Sequence, residues 1–179
     1  VIVPGQEGPR THEQLGHTIS LNIRSMVRDV NKYYLYDWVA DTVHAQGGLW
    51  GYAHVNTGQF MVARDMSINI PKEKCDFVEL LQFNQLGTGL YYDFLNLGFK
   101  VTASAGSDVP WGGTVGEVRL YAHVGAQPFS ADAWFEAVKN GATFVTSGPM
   151  VEFRVNDVLP GGEIRLQQSR KLRVTARTW

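Results

Sequence analysis

The sequence predicts an α/β fold in which a parallel sheet or barrel is followed by a small antiparallel β appendage. Up to Pro149, short β-rich runs alternate with amphipathic helical segments, an order that is typical of parallel sheets built from βαβ units. After Pro149 the helical period disappears, and apolar and polar residues alternate with period two, as in antiparallel strands. The change of pattern predicts a boundary between residues 1–149 and residues 150–179.

The first half of the chain contains four predicted strands and one predicted helix. The helix extends from Tyr36 to Ala45, because Trp38, Val39 and Val43 fall on one helical face. The four strands are runs of apolar and β-branched residues at 1–4, 18–23, 49–54 and 77–83. Residues 55–74 show no period, and long loops of this kind often carry function.

The second half contains two predicted helices and several further strands. One helix covers residues 90–97 and ends at Gly98. The other can be capped by Ser130 or Asp132 and ends at Gly141. The predicted strands of this half lie at 100–105, 117–124 and 142–149, and in the appendage at 151–157, 163–167 and 171–179.

The composition excludes several classes of protein. The chain has 16 basic and 17 acidic residues without long runs of one sign, so we expect no nucleic-acid partner. Cys75 is the only cysteine, which excludes an intrachain disulfide and a thiolate-rich zinc site. No apolar stretch reaches the length of a membrane span. The first residues lack an initiator methionine and a signal-peptide pattern, so we expect a piece of a longer protein whose compartment stays open.

Four side chains that can bind metal lie at or near the ends of predicted strands. Glu7 follows the first strand and its turn, His54 ends the 49–54 strand, and Asp108 follows the 100–105 strand. His17 lies just before the 18–23 strand. In parallel β/α folds, ligands bind at the carboxyl ends of the strands. Imidazole and carboxylate ligands suit zinc, manganese or iron, so the pattern predicts a metal-dependent hydrolase.

Each of these residues also has an ordinary structural explanation. Single histidines often pack in a core or lie on the surface, and Glu7 can simply be solvated. Asp108 stands beside Pro110 in a good turn sequence. Arg119 could bind an anionic substrate through paired hydrogen bonds, although many surface arginines have no such role. No role is predicted for the remaining histidines, His12, His44 and His123.

Longer motifs occur in a specific order along the chain. They are GQEGPRTHEQLGH, GGLWGYAHV, FVELLQFNQLGTGLYYDFLNLGFKVTASAGSD, EVRLYAHV and AVKNGATFVTSGPMVEFRVND. Together they resemble the PHP (polymerase and histidinol phosphatase) superfamily of metal-dependent hydrolases, and within it the CehA/McbA branch. The resemblance covers the chain from its first residues to about Leu166.

The resemblance implies a fold, a metal centre and roles for individual residues. It implies that residues 1–149 are the carboxyl-terminal part of a distorted, TIM-like β/α barrel, with a cluster of metal ions at the strand ends. Glu7 would be a bridging carboxylate, His17 and His54 would each bind one ion, and Asp108 would be the late aspartate ligand. Glu7 and Asp108 are thus the predicted catalytic residues, and the predicted substrate is a small phosphoester, or a carboxylic or carbamic ester.

Two departures from the family pattern affect this prediction. The family's opening His-x-His motif and the next histidine are absent and would lie before Val1. The late Asp-x-His motif reads Asp108-Val109-Pro110 here, and a proline cannot bind metal. We therefore expect this chain alone to be inactive, and the site to hold fewer metals or to accept a different substrate.

A second function stays open beside the hydrolase. The same fold could be a non-catalytic module that binds a ligand or partner through aromatic residues, including Trp50, Trp111 and Tyr121. A partial barrel would also leave sheet edges uncovered. We therefore predict that the chain forms a homo-oligomer.

Overall fold

The computed structural model describes residues 2–8, 16–32, 34–55 and 65–179. The strands are β1 (Gly5–Glu7), β2 (Thr18–Leu21), β3 (Leu49–Tyr52), β4 (Phe77–Gln82), β5 (Gln85–Leu86), β6 (Thr102–Ala105), β7 (Arg119–Ala122), β8 (Thr143–Thr146), β9 (Val151–Val155) and β10 (Val174–Thr178). The helices are α1 (Tyr36–His44), α2 (Met66–Asn69), α3 (Gly89–Asn96) and α4 (Ala131–Lys139). Two predicted strands are wrong. Residues 2–4 of the predicted 1–4 strand, and residues 163–167, have no regular structure. Val1 and residues 56–64 of the predicted 55–74 loop lie outside the described residues.

The main sheet combines antiparallel and parallel strands. Its order is β1-β2-β3-β4-β6, and the short β5 pairs with the end of β4. The β1–β2 and β2–β3 pairs are antiparallel, whereas the β3–β4 and β4–β6 pairs are parallel. Two further antiparallel sheets have two strands each, β7 with β8 and β9 with β10.

The predicted TIM-like, PHP-type β/α barrel is therefore wrong. Such a barrel needs parallel strands that close into a ring, but among the described residues only β3, β4 and β6 pair in parallel, and no sheet closes. The fold is instead a mixed, strand-rich α/β fold with open sheets. The predicted homo-oligomer was argued from the edges of a partial barrel; the open edges of the present sheets still allow it, and it stays a prediction.

The direction of α1 explains why the alternation of strands and helices in the sequence wrongly predicted that β2 and β3 are parallel. The Tyr36 hydroxyl at the start of α1 donates to the carbonyl of Gly16, just before β2. At the other end, the Gln46 side-chain carbonyl after α1 accepts from the Arg24 and Ser25 N–H groups after β2, at 2.8 Å each. Helix α1 thus runs alongside β2 in the same direction. The segment between them returns the chain to the end of the sheet at which β2 begins. The strand that follows α1 must then run against β2.

The helices are short, and their apolar faces cover the sheet. Ser130, one of the two predicted caps, accepts a hydrogen bond from the Ala133 N–H at 3.1 Å, and Gly141 follows α4 with φ +70°. In α1 the buried residues include Val39 and Val43, as its period predicts.

Within the described residues, no helix combines the length and the apolar character needed to cross a membrane, as predicted.

Strands β3 and β4 are buried on both faces and fix the centre of the fold. One hydrophobic cluster contains Trp50 and Val78 together with residues of α1 and α3. A second cluster contains Leu49 and Phe77 together with residues of α4. Since successive strand residues point to opposite faces, both strands have apolar neighbours on each side. Their ends are therefore held in place by packing.

Strand β3 packs closely against β4 at Gly51. A Cβ atom at Gly51 would lie 2.2 Å from the Phe77 carbonyl oxygen. We expect Gly51→Ala to lower the free energy of unfolding by at least about 1–3 kcal/mol, the usual effect of overpacking, as measured by urea denaturation. Gly148→Ala is the matched control, because a Cβ there meets nothing within 4 Å. Equal stabilities for the two variants would contradict the packing of β3 on β4.

Candidate metal centre

Three of the four predicted ligands lie together. Glu7, His17 and His54 each offer one ligand atom, and these atoms all lie within 4.8 Å of one another. His17 Nδ1 is 2.9 Å from Glu7 Oε1 and 3.1 Å from His54 Nε2. The three side chains therefore form one compact group that could hold a metal ion.

The antiparallel strands bring the three residues together. Glu7 is the last residue of β1, and His17 immediately precedes β2. His54 follows β3 by two residues, and the Ala53 N–H donates to the His17 carbonyl at 3.0 Å. Because β2 runs against both neighbours, its start lies beside the ends of β1 and β3. The group thus lies at the carboxyl ends of β1 and β3 and at the amino end of β2. The sequence had instead predicted that the ligands lie at the carboxyl ends of parallel strands.

His54 forms the buried floor of this group. Its side chain is only 2% exposed, and this burial, together with nearby His17, lowers the pKa of His54 to about 4. The imidazole is therefore neutral at physiological pH, which is the form that binds metal. Glu7 is exposed, so the group is closed below and open to solvent on the Glu7 side.

Glu79 on β4 is part of the same region and was missed in the sequence. Its carboxyl group is 5% exposed, and Oε2 accepts a hydrogen bond from the His54 N–H at 3.2 Å. Burial, with smaller contributions from the nearby carboxylates of Glu7 and Asp108, raises the pKa of Glu79 to about 8. A signal was available, because Glu79 is the single charged residue in the otherwise uncharged run FVELLQ, and buried charged residues are rare.

Asp108 lies outside the three-residue group but acts electrostatically on Glu79. It occupies the loop after β6 with φ +48°, and its carbonyl accepts from the Gly112 N–H at 2.7 Å. Its charge helps to raise the pKa of Glu79, which places its carboxylate in the same electrostatic environment. Its role as a ligand stays a prediction.

Arg119 is the first residue of β7 and connects two loops. Its Nη1 donates to the Gly116 carbonyl at 3.1 Å, and its Nη2 donates to the Gly148 carbonyl at 2.9 Å. Both terminal nitrogens of the guanidinium group thus donate to backbone carbonyls. The predicted contact with an anionic substrate stays a prediction.

The other histidines do not join the metal group among the described residues. His44 Nε2 lies 2.7 Å from Asp76 Oδ2, at the end of α1. His123 is exposed and follows β7. His12 lies outside the described residues, so its lack of a predicted role is not tested.

The ligand set fits a divalent transition metal. Two imidazoles and one carboxylate are typical ligands of zinc, and manganese and iron also accept them. Three protein ligands leave a coordination position open for water or substrate, as in catalytic zinc sites. The exposed side of the group, next to Glu7, is where such a molecule can enter.

No family model and no curated protein matches this chain. The resemblance to the PHP superfamily stays a prediction that is based on the order of the sequence motifs.

The low pKa of His54 predicts a pH-dependent stability in metal-free protein. As the pH falls from 6.5, the unfolded chain takes up a proton that the folded chain refuses until about pH 4. We expect chelator-treated protein to lose stability progressively over this interval, as measured by urea denaturation. His54→Gln cannot take up this proton and should show a smaller loss; an identical pH profile for both proteins would contradict the buried, neutral imidazole.

Proposed function

We propose that this protein is a metal-dependent hydrolase whose metal is held by Glu7, His17 and His54. The observation that carries the proposal is the convergence of their three ligand atoms within 4.8 Å of one another. The ordered motifs that resemble the PHP superfamily support the same reaction class. A divalent ion bound there would supply an activated water and stabilise negative charge at the reacting centre.

The charges around the group favour a cation. The carboxylates of Glu7 and Asp108 both act electrostatically on Glu79, and neutral His54 adds no positive charge to offset them. Such a site attracts a divalent ion, whereas it would repel an anionic substrate on its own. We therefore propose that a small phosphoester binds only when the ion is present, with carboxylic and carbamic esters as uncharged alternatives.

The protein's own residues divide the remaining tasks. His54 is buried and fixed, so it anchors the ion from below. Glu7 is exposed at the open side, where its carboxylate can accept a proton from the attacking water. Asp108 lies on the neighbouring loop, where it is proposed as a further carboxylate ligand.

The aromatic residues of the alternative binding module do not form one surface. Trp50 is fully buried, and Tyr121 is partly buried and stacks on Phe144 with ring centres 5.2 Å apart. Trp111 is the exposed one of the three predicted residues, at 75%. One exposed tryptophan does not favour this module over the hydrolase.

Metal binding is the first test of the proposal. We expect the purified protein to bind Zn²⁺ or Mn²⁺ in isothermal titration calorimetry, and His54→Ala to weaken binding by more than about 100-fold, beyond the effect typical of outer-shell residues. His123→Ala is the matched control, because His123 is an exposed histidine outside the ligand group. Unchanged affinity in His54→Ala would contradict the assigned site.

Hydrolysis is the second test, and it separates a catalytic from a structural metal. We expect the full-length, metal-loaded protein to release p-nitrophenol from p-nitrophenyl phosphate or bis(p-nitrophenyl) phosphate, and less readily from p-nitrophenyl acetate. Chelator and His54→Ala should each abolish the activity, while His123→Ala keeps it. Tight metal binding without hydrolysis of any of these three esters would exclude the proposed hydrolysis of phosphoesters and carboxylic esters.

A further inference from the structure

The turn that carries His54 has a backbone conformation that needs support. His54 has φ +37°, a region that residues with a Cβ atom rarely adopt. Residues in such conformations persist when their surroundings hold them.

Glu79 holds the turn at two consecutive N–H groups. Its Oε2 accepts from the His54 N–H at 3.2 Å, and its main-chain carbonyl accepts from the Val55 N–H at 2.8 Å. The side chain and the main chain of Glu79 therefore each accept one hydrogen bond from the turn, at His54 and Val55. Strand β4, which provides this support, is buried along its whole length.

The Glu79 carboxyl group also has little freedom to move. Gly106 lies against it after β6, and a Cβ atom at Gly106 would be only 2.2 Å from Glu79 Oε1. Glu79 thus lies between the turn of His54 and the loop that leads, two residues later, to Asp108. Its position connects a ligand of the proposed site to the predicted fourth ligand.

We propose that Glu79 is a positioning residue that holds His54 in the orientation required for metal binding. The inference rests on the proposed metal site. Burying a carboxyl group is unfavourable unless a specific interaction compensates for it. Here the interaction is the hydrogen bond to the strained ligand residue, and outer-shell carboxyl groups of this kind orient metal ligands in many proteins.

Cobalt binding tests this role without relying on activity. The visible absorption of bound Co²⁺ reports the coordination geometry, and its titration gives the affinity. We expect Glu79→Ala to weaken Co²⁺ binding by about 10–100-fold and to change the spectrum. Glu79→Gln keeps a side-chain oxygen that can accept from the His54 N–H, so it should restore the wild-type spectrum and most of the affinity.

Two further variants separate positioning from general destabilisation. Leu80→Ala removes a buried neighbour in the same strand that belongs to the hydrophobic core, so it should lower stability but keep the wild-type affinity and spectrum. Gly106→Ala displaces the Glu79 carboxyl group and should alter the spectrum as Glu79→Ala does. It also serves as the test if Glu79→Ala does not fold.

The outcomes distinguish this inference from the proposed function. Absence of Co²⁺ binding to the wild-type protein overturns both. Wild-type binding with an unchanged spectrum and affinity in Glu79→Ala, or in folded Gly106→Ala, overturns the positioning role alone. The same holds if Glu79→Gln loses as much affinity as Glu79→Ala, or if Leu80→Ala loses as much.

Discussion

The register across the main sheet is the constraint on which the candidate site depends. Glu7 pairs with Ile19, Ile19 pairs with Gly51, and Gly51 pairs with Phe77. This row places the end of β1 and the start of β2 beside the end of β3. A slip of one residue in either antiparallel pair would turn the side chains of that strand to the other face. Gly51 maintains the row, because its missing side chain lets β3 approach the Phe77 backbone.

The same packing creates an electrostatic arrangement that favours a cation. Burial keeps His54 neutral and raises the pKa of Glu79 to about 8, so at neutral pH the site holds an unprotonated imidazole and a largely protonated Glu79 carboxyl group. Both changes disfavour charge in the absence of a ligand. A divalent ion at the proposed site would pair with the carboxylates and use the imidazole lone pair. The two pKa shifts and the proposed metal affinity therefore have one cause, the burial of polar groups beneath the strand ends.

The sequence predicted the types of the elements better than their directions. Helices at 36–44 and 89–96 followed from apolar spacing and from Gly98, and the strands at the sheet centre followed from apolar runs. Hydrophobic period describes which face is buried, but it contains no information on whether neighbouring strands are parallel. The irregular segment between β2 and α1, which reverses β3 relative to β2, has no period to interpret. The barrel prediction failed for this reason.

Three of the four predicted ligands lie together although the predicted strand directions were wrong. Glu7 and His54 were expected at the carboxyl ends of strands, and β1 and β3 do run in the same direction, because both are antiparallel to β2. His17 reaches them from the start of β2, a position that an all-parallel sheet would place at the opposite end. Glu79 was not found, since an apolar strand suggests packing and only the three-dimensional neighbours of its one carboxyl group reveal a contact with His54.

The arrangement of the described residues also bears on how many ions the site can hold. The three ligand atoms lie close enough together to surround one ion. A two-ion site needs further ligands that face the second ion, but the Glu79 carboxyl group is directed to the His54 N–H and closed in by Gly106. Asp108 is the remaining nearby carboxylate, and Pro110 provides no imidazole beside it. Within residues 2–8, 16–32, 34–55 and 65–179, Glu7, His17 and His54 therefore form one group that could surround a single ion, with its open side at Glu7.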